Sequence, residues 1–583
     1  MSASKTFRAE FQKPYPGLKG PGANEAVDAL FEKVTKAKKQ YGEPNEEDYE
    51  IANEPLWHLQ GRLIISQDLT LKRVLEARIR LTIQASLTTH CLTAFPYEEA
   101  LEEAENMELS GDDDTAKSVL DCYPLYGLVF SVKDCVHVYG LPTTLGCSSR
   151  ATQEEAASAE LVQKMQDMGA MLIAKTTAPQ LIMSNTTHSP LWGTTHSPIQ
   201  TAEGDEKQSN KFQVGGSSGG EAALVKMGGS QIGIGTDMGG SVRQPACLNE
   251  LFGYKYVSKP QDFRWKLPKD FMTGLPHTSV PAIAPGLLSR CMPTLELVAR
   301  VIGGGEAQDF DKENKWMDEV DEDELEELEA KEHNNPRIVY TTQKSSPEVS
   351  ELIQWLVKSL KDRDMYTCPE QCDALGDIDL AAWATAWTEH AKEHGFDEAR
   401  EMLGDDPLMT RTLFDESRLS SVASDSDKKS WKPDSERLAK LEERFIKQAG
   451  ITDEIVEEPE NVMFITPTYI LGGAVQNEAF VQLDDAGESE IWCQIFNLLD
   501  WPAISIPFAH LPSKVREELR NKAESDPKWA KHLPGKVKGD VIWSKTSDDE
   551  VDRLAHLSLQ LATLPGKHAS LLDYARRITE PQR

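Results

Sequence analysis

The spacing of apolar residues divides the chain into an N-terminal part with long helical patterns and a later part in which strands and helices alternate. Apolar residues recur at helical intervals over about residues 67–88, and a second helix is predicted over about 97–107. Short apolar runs predict strands at residues 128–132 and 171–174, with a helix over 156–168 between them. This alternation is typical of a sheet covered by helices on both faces, so we expect an α/β fold.

One stretch, residues 215–246, combines many glycines and serines with few charges: GGSSGGEAALVKMGGSQIGIGTDMGGSVRQPA. Glycine is tolerated at this density where the backbone needs positive φ or approaches a ligand closely. A serine among such glycines, next to main-chain N–H groups, is suited to attack a carbonyl carbon and to stabilise the anion that forms. A flexible linker is the alternative, but the apolar runs 222–225 and 232–234 favour a folded site.

These residues resemble the signature of the amidase signature family of serine hydrolases, whose pattern is close to GGSSGGEAAL followed by TDxGGSxRxPA. The family's lysine lies upstream in a G-x-x-x-x-x-K-D context, which this chain has as GLVFSVKD in residues 127–134. The resemblance covers about residues 60–510. It implies the amidase signature fold, with a large mixed central sheet covered by helices on both faces. It also implies a helical flank over residues 1–110 before a catalytic domain over 111–583.

The resemblance implies roles for particular residues. Lys133 is the expected base and Ser241 the expected nucleophile, and Ser217, in a cis peptide bond with Gly216, is expected to bridge them. Oxyanion or substrate binding is expected from Met238, Gly239, Gly240 and Ser184, and the main-chain N–H group of Ser241 is a further expected donor to the oxyanion. Orientation of the loops by buried side chains is expected from Asp237, Arg243 and Ser218, and a purely structural ion pair is the alternative for Asp237 and Arg243. No cofactor and no metal are expected.

The implied reaction is hydrolysis of a small-molecule carboxamide through an acyl-enzyme. Transfer of the acyl group to an amine, or lactam formation, is one alternative, because the family's G-L-P-x-G-x-Q ending is not visible in residues 508–583. The family's N-P-x-x-G-x-x-x-N-P motif is also altered, with serine in place of both asparagines in residues 189–198, SPLWGTTHSP. Residues 496–503, FNLLDWPA, resemble a late family motif, although Asp500 stands where glycine is usual. An inactive scaffold is a second alternative. A glutamine-dependent amidotransferase subunit is a third alternative. It is disfavoured because such subunits work on tRNA, whereas this chain is strongly acidic.

The charge of the chain argues against nucleic acid as a partner. It has 62 Lys and Arg against 95 Asp and Glu, a net charge of −33, whereas phosphate backbones require a basic surface. Residues 306–332 alone hold 14 Asp or Glu against 3 Lys. They are predicted to be an exposed helix or a disordered insert, and a binding segment for a basic partner is the alternative.

Other features bear on the location of the protein. Its 9 cysteines lack paired spacing, which is typical of reduced thiols in an intracellular protein. No secretory signal is visible in residues 1–30, and no apolar run approaches the length of a membrane-spanning helix. We therefore expect a cytoplasmic protein without a membrane span, and a homodimer is left open.

Overall fold

The computed structural model describes most of the chain, with gaps. The described residues are 12–13, 18, 22–107, 116–199, 212–257, 283–303, 336–362, 379–380, 382–383, 386, 403–407, 435–451, 462–470, 472–473, 490–525, 537–538, 550–551, 557–565 and 567–579. The acidic segment 306–332 lies outside them, so the prediction made for it stays a prediction.

Helices form the N-terminal region and many of the connections between strands. Within the described ranges, the α-helices are α1 (Ala23–Tyr41), α2 (Glu46–Asn53), α3 (Leu56–Gln60), α4 (Leu71–Thr89), α5 (Tyr97–Met107), α6 (Ala116–Cys122), α7 (Glu160–Asp167), α8 (Gly219–Lys226), α9 (Arg243–Leu248), α10 (Met292–Ile302), α11 (Pro347–Asp362), α12 (Ser435–Gln448), α13 (Ile491–Leu498), α14 (Ser513–Ser525) and α15 (His568–Ile578). A π-helical turn, Gly61–Ile65, continues α3. None of the helices that the structure describes is long and apolar enough to span a membrane.

One large sheet organises the fold. The strands are β1 (Leu92–Ala94), β2 (Val129–Lys133), β3 (Met171–Thr176), β4 (His188–Ser189), β5 (Gly193–Thr194), β6 (Ile232–Asp237), β7 (Phe252–Lys255), β8 (Ala284–Ser289), β9 (Arg337–Tyr340), β10 (Val462–Thr466), β11 (Ala503–Pro507), β12 (Val537–Lys538), β13 (Glu550–Val551) and β14 (Ser558–Ala562). Within the part of the chain that the structure describes, the sheet has 10 strands in the order β1-β3-β2-β6-β8-β7-β11-β14-β10-β9. β2 is parallel to β3 and β6, and β9 is parallel to β10, whereas the other neighbours are antiparallel. The expected α/β fold with a large mixed sheet is therefore confirmed.

The N-terminal helices are joined to this sheet. α4 begins after Thr70, whose side chain accepts a hydrogen bond from the N–H of Arg73, and it ends at His90 in a left-handed conformation. It packs against α1, α2, α5 and α8. Its buried residues share an apolar cluster with residues of β3, and β1, which follows α4, pairs with β3 at the edge of the sheet. The division at residue 110 stays a prediction.

Most predicted elements lie close to their expected positions. The helices expected over 67–88 and 97–107 are Leu71–Thr89 and Tyr97–Met107, and the strands expected at 128–132 and 171–174 are β2 and β3. The helix expected over 156–168 begins later, because α7 starts at Glu160. The preceding backbone is used elsewhere: the N–H of Glu155 donates to Leu141 and that of Ala159 donates to His137. The prediction was wrong for these first residues.

The C-terminal region, which carries no recognisable family ending, supplies a strand to the interior of the sheet. β14 lies between β11 and β10 and is antiparallel to both. Its residues Leu559 and Leu561 are fully buried. The missing motif therefore does not mean a missing part of the core.

Asp500 occupies a backbone position that suits glycine. Its φ is 53°, in the left-handed region. Glycine adopts this conformation without steric cost, and aspartate tolerates it better than most residues. The departure from the family pattern at residue 500 is thus a substitution that the local backbone can accept.

Candidate active site

The three residues expected to react lie near the carboxyl ends of two neighbouring strands inside the sheet. Lys133 is the last residue of β2, Ser217 precedes α8, and Ser241 lies in the turn between β6 and α9. β2 and β6 are parallel neighbours, so their carboxyl ends lie side by side. This topology brings together segments that are far apart in the sequence.

Lys133 is in direct contact with the bridging serine. Its Nζ donates hydrogen bonds to Ser217 Oγ at 2.7 Å and to Thr236 Oγ1 at 2.9 Å. The peptide bond between Gly216 and Ser217 is cis, which is the arrangement that the family resemblance implied. Lys133 has no exposed surface, so this contact lies in the protein interior.

The two serine loops are held together by Ser218. Its N–H donates to the carbonyl oxygen of Ser241 at 3.0 Å. Its Oγ lies 3.4 Å from both the N–H nitrogen and the carbonyl oxygen of Thr236. Ser241 is half-buried, whereas Lys133 and Ser217 are buried. Of these three residues, the expected nucleophile is therefore the most accessible from outside.

Burial changes the protonation of Lys133. Removal from water lowers its pKa from 10.5 to about 8, against opposing effects of Cys135, Asp237 and Glu221. A substantial fraction of the amine is therefore neutral at mildly alkaline pH. Only the neutral amine can accept a proton, so this is the form that a base requires.

Asp237 and Arg243 form a fully buried ion pair beside the turn that carries Ser241. The carboxylate accepts hydrogen bonds from Arg243 Nε at 3.0 Å and Nη2 at 2.9 Å. It also accepts from the main-chain N–H groups of Gly240 at 2.9 Å and Val242 at 3.1 Å. Burial by itself would raise the pKa of Asp237, but the charge and hydrogen bonds of Arg243 outweigh it and hold this pKa below its usual range. Both side chains are therefore charged.

The hydrogen bond to Asp237 corrects one expectation for the oxyanion site. The N–H of Gly240 is already engaged by this carboxylate, so we no longer expect it to bind an oxyanion. Gly240 has a φ of 124°, and a Cβ there would lie 2.9 Å from the Cβ of Cys493, so only glycine fits. The main-chain N–H groups that stay predicted donors are those of Met238, Gly239 and Ser241.

Arg243 also binds two side chains that the sequence did not point to. Its Nη2 donates to Asn497 Oδ1 at 2.7 Å, and its Nη1 donates to Gln560 Oε1 at 3.1 Å. Asn497 Nδ2 in turn donates to the carbonyl oxygen of Asp237 at 3.1 Å. Asn497 lies in the FNLLDWPA run, so the motif offered a signal for it. Gln560 lies in β14, and no motif marked it.

Ser184, the side chain expected to bind substrate, lies against the first serine loop. Its carbonyl oxygen would be 2.8 Å from a Cβ placed on Gly216, so this close approach requires glycine. Its Oγ is 3.0 Å from Thr186 Oγ1. Ser184 is half-buried, and a contact with substrate stays a prediction.

Two other fully buried lysines among the described residues, Lys175 and Lys255, have different partners. Lys175 Nζ donates to Pro142 O and Thr143 Oγ1, and Lys255 Nζ donates to Tyr256 O and Trp501 O. Lys133 differs from both because one of its partners is a serine hydroxyl group. Among the residues that the structure describes, no three or more His, Cys, Asp or Glu side chains are grouped to hold a metal ion.

Comparison with protein families identifies the family of this chain. The family model described as Amidase matches residues 73–515, which is more than half of the sequence. The chain therefore belongs to the amidase family.

Relatives of this chain carry amidase names. "Amidase 1" of Gibberella moniliformis is 31% identical over 271 residues, which are 46% of this chain and 48% of that protein. "Acetamidase" of Emericella nidulans is 34% identical over 171 residues, which are 29% of each. The aligned segments thus span about half or less of the length of these relatives.

Solved structures share the fold over nearly the whole chain. A fatty acid amide hydrolase superposes with a TM-score of 0.63 at 18% identity, covering 98% of this chain and 93% of that one. A 6-aminohexanoate cyclic dimer hydrolase superposes with a TM-score of 0.59 at 17% identity, covering 91% and 96%. At this identity the likeness supports the fold alone.

Proposed function

We propose that this chain is an amidase that hydrolyses a carboxamide to a carboxylic acid and ammonia or an amine. Ser241 is the nucleophile, Ser217 the proton relay and Lys133 the base. The observation that carries the proposal is the 2.7 Å hydrogen bond between the fully buried Nζ of Lys133 and Ser217 Oγ. The residue after Ser217 is in turn hydrogen-bonded to the main chain of Ser241.

The first half of the reaction forms an ester between Ser241 and the acyl group. Neutral Lys133 takes the hydroxyl proton of Ser217 while Ser217 takes that of Ser241, and Ser241 Oγ attacks the carbonyl carbon. Negative charge develops on the carbonyl oxygen, where main-chain N–H groups stabilise it. The proposed donors are those of Met238, Gly239 and Ser241. The ion pair of Asp237 and Arg243 supports the step because it fixes the turn that carries these donors.

The tetrahedral intermediate then releases its amine. An amine anion is a poor leaving group, so protonated Lys133 returns its proton through Ser217 to the nitrogen as the C–N bond breaks. The acyl group remains on Ser241. A water molecule, deprotonated by the same two side chains, attacks this ester, and the carboxylic acid leaves as Ser241 recovers its proton.

The proposed substrate is a small-molecule amide. The names acetamidase and fatty acid amide hydrolase among the similar proteins cover very different acyl groups. The proposal therefore extends to the bond that is cleaved and not to the length of the acyl chain. The mechanism uses side chains and main-chain groups alone. The cytoplasmic location, the homodimer and the absence of a nucleic-acid partner stay predictions.

Acyl transfer stays the alternative reaction, but one of the two arguments for it is weakened. That argument was the absence of the family ending in residues 508–583. β14 comes from this region, and its Gln560 is hydrogen-bonded to Arg243 beside the nucleophile turn. The C-terminal region thus contributes to the same ion-pair network, so the missing motif does not mean that this part of the site is absent.

Covalent labelling tests the assignment of the nucleophile. A fluorophosphonate probe followed by mass spectrometry should label the wild type at Ser241. The variant Ser241→Ala should not be labelled and should lose amide turnover by about 10³-fold or more. Ser66→Ala, which removes a surface serine hydrogen-bonded to Asp68, is the matched control and should be labelled normally. Labelling of a different serine would refute the assignment. If an added amine captured most of the acyl group, the reaction would be transfer and not hydrolysis.

A further inference from the structure

Glu221 is a fully buried carboxyl group that the proposed mechanism does not use. It lies in the first turn of α8, just after the loop that contains Ser217. Its Oε2 is hydrogen-bonded to Ser131 Oγ at 2.5 Å, and its Oε1 is hydrogen-bonded to Thr176 Oγ1 at 2.6 Å. Both partners are buried hydroxyl groups, one on β2 and the other on β3. The side chain therefore connects α8 to two neighbouring strands.

A third strand leaves room for this carboxyl group. Gly233 of β6 faces it, and a Cβ at that position would lie 2.4 Å from Glu221 Oε2. Such a contact is far shorter than van der Waals separation, so any side chain at residue 233 would displace the carboxyl group. Glu221 thus occupies a space formed by β2, β3 and β6 together.

The two hydroxyl partners of Glu221 lie next to Lys133. Ser131 is two residues before Lys133 on β2, so the two side chains lie on the same face of the strand. Thr176 is the residue of β3 that pairs with Lys133 in the sheet register. The hydrogen bonds of Glu221 therefore fix the two backbone segments that determine where the lysine amine lies.

The partners of Glu221 suit an uncharged carboxyl group. In the acid form, Oε2–H donates to Ser131 Oγ, which can donate onward to Ser230 Oγ at 2.8 Å, and Thr176 donates to Oε1. Both carboxyl oxygens of Glu221 then have a hydrogen-bond partner without a buried charge. Burial raises the pKa of Glu221 to about 8, although Ser131, Thr176 and the charge of Lys133 oppose this shift.

Other charges near the pair arise from several elements. Cys135 follows β2 and Asp237 ends β6, and both would favour the protonated form of Lys133. Burial raises the pKa of the Cys91 thiol, which precedes β1, and a negative charge on Glu221 would raise this pKa further. An ionised Glu221 would add a further negative charge beside the lysine and would hold a proton on the base.

We propose that Glu221 is a positioning residue for Lys133, held as a neutral carboxylic acid that fixes β2 and β3 and leaves the lysine free to act as a base. The inference rests on the proposed function for its catalytic meaning. The protonation state that it assigns to Glu221 can be measured without any activity.

Three variants test this inference. Glu221→Gln keeps one donor and one acceptor in place of the acid, so kcat/KM should stay within about threefold of the wild type and the midpoint of its pH profile should not move by more than about 0.3. Glu221→Ala removes both hydrogen bonds and should lower kcat about tenfold or more with little change in KM. Glu250→Gln, at a half-buried glutamate paired with Lys226, is the matched control. A downward shift of the midpoint by about one unit in Glu221→Gln would show that the native group is an anion and would overturn the proposal.

Infrared spectroscopy gives a reading that does not depend on turnover or on the stability of Glu221→Ala. At neutral pH the wild type should show the C=O stretch of a protonated carboxylic acid, which Glu221→Gln removes and Glu250→Gln retains. Absence of this band from the folded wild type would refute the neutral state. If the band is present but the wild type hydrolyses no amide, the proposed function fails while the assignment of Glu221 stands. Full kcat in Glu221→Ala would refute the positioning role.

Discussion

Two fully buried carboxyl groups near the reacting residues have surroundings that favour opposite charge states. Asp237, beside the nucleophile turn, is bonded to Arg243 and to main-chain N–H groups, and its pKa is held below the usual range despite burial. Glu221, beside the base, is bonded only to hydroxyl groups among its described hydrogen-bond partners, and burial raises its pKa to about 8. Equal burial thus gives an anion in one place and a neutral acid in the other.

The difference shows how one site separates two electrostatic requirements. A full positive charge compensates Asp237, and the resulting ion pair fixes the turn around Ser241. The described hydrogen-bond partners of Glu221 are hydroxyl groups and carry no compensating charge, so the acid stays neutral and adds no negative charge next to Lys133, whose neutral form is the one that reacts. The partner of each carboxyl group, more than its depth, decides its charge.

The largest effect is expected from changes to the base itself. Lys133→Ala and Lys133→Arg should both lower kcat/KM by about 10³-fold or more, because the guanidinium group of arginine stays charged and cannot accept a proton. Steady-state kinetics on a chromogenic amide measures both. Near-native activity of Lys133→Arg would mean that the site requires positive charge and not proton transfer.

A matched pair of substitutions tests the comparison most directly. Asp237→Asn leaves the buried Arg243 without its counter-charge and should lower the free energy of unfolding by about 3–5 kcal/mol. Urea denaturation measures this loss. Asp68→Asn, at an exposed ion pair with Arg62, is the control and should change the free energy of unfolding very little. A loss for Asp237→Asn as small as that of the control would show that its charge contributes little.

The pH dependence of activity should follow the protonation of Lys133. Since kcat/KM requires neutral Lys133, it should rise with pH through an apparent pKa near 8 and fall about tenfold per pH unit below that midpoint. Asp237 stays ionised over this pH range, so it should add no second transition to the profile of kcat/KM against pH. A flat profile between pH 6 and 9 would argue against a lysine base.

Stability should depend on pH in a way that Glu221→Gln removes. The pKa of Glu221 is higher in the folded state than in the unfolded chain, so its contribution is fully present below about pH 4.3 and is lost as pH rises towards about 8. Replacing it by glutamine should therefore flatten the pH dependence of unfolding across this window while changing stability at pH 5 by less than about 1–2 kcal/mol. An unchanged slope between the variant and the wild type would contradict the raised pKa.

The smallest effect is expected far from both carboxyl groups. Deleting the acidic segment 306–332 should leave turnover unchanged and shift the melting temperature by no more than a few degrees, because a run of like charges buries little apolar surface. Differential scanning fluorimetry tests this. A larger shift would show that the segment packs against the core.

The sequence was sufficient to predict the fold class and the N-terminal helices, and its resemblance to the amidase signature indicated the candidate residues Lys133, Ser217 and Ser241. Helical spacing records which side chains face a core, and the glycine-rich serine loops record a local need for unusual backbone conformations and close approaches. Both signals are contained in residues that are neighbours in the chain. The short sequence signals could not give the exact start of α7, because its preceding residues pair with a hairpin near residue 140.

Only the tertiary structure decided which groups touch and which are charged. Lys133 and Ser217 are 84 residues apart, and Arg243 and Gln560 are 317 apart, so no local pattern could join them. The same holds for Glu221, which the sequence shows only as a residue within the serine signature. Its neutral state follows from the hydroxyl groups and the glycine that three strands bring around it. Distance, burial and electrostatic compensation depend on how remote segments pack, and a linear sequence does not record them.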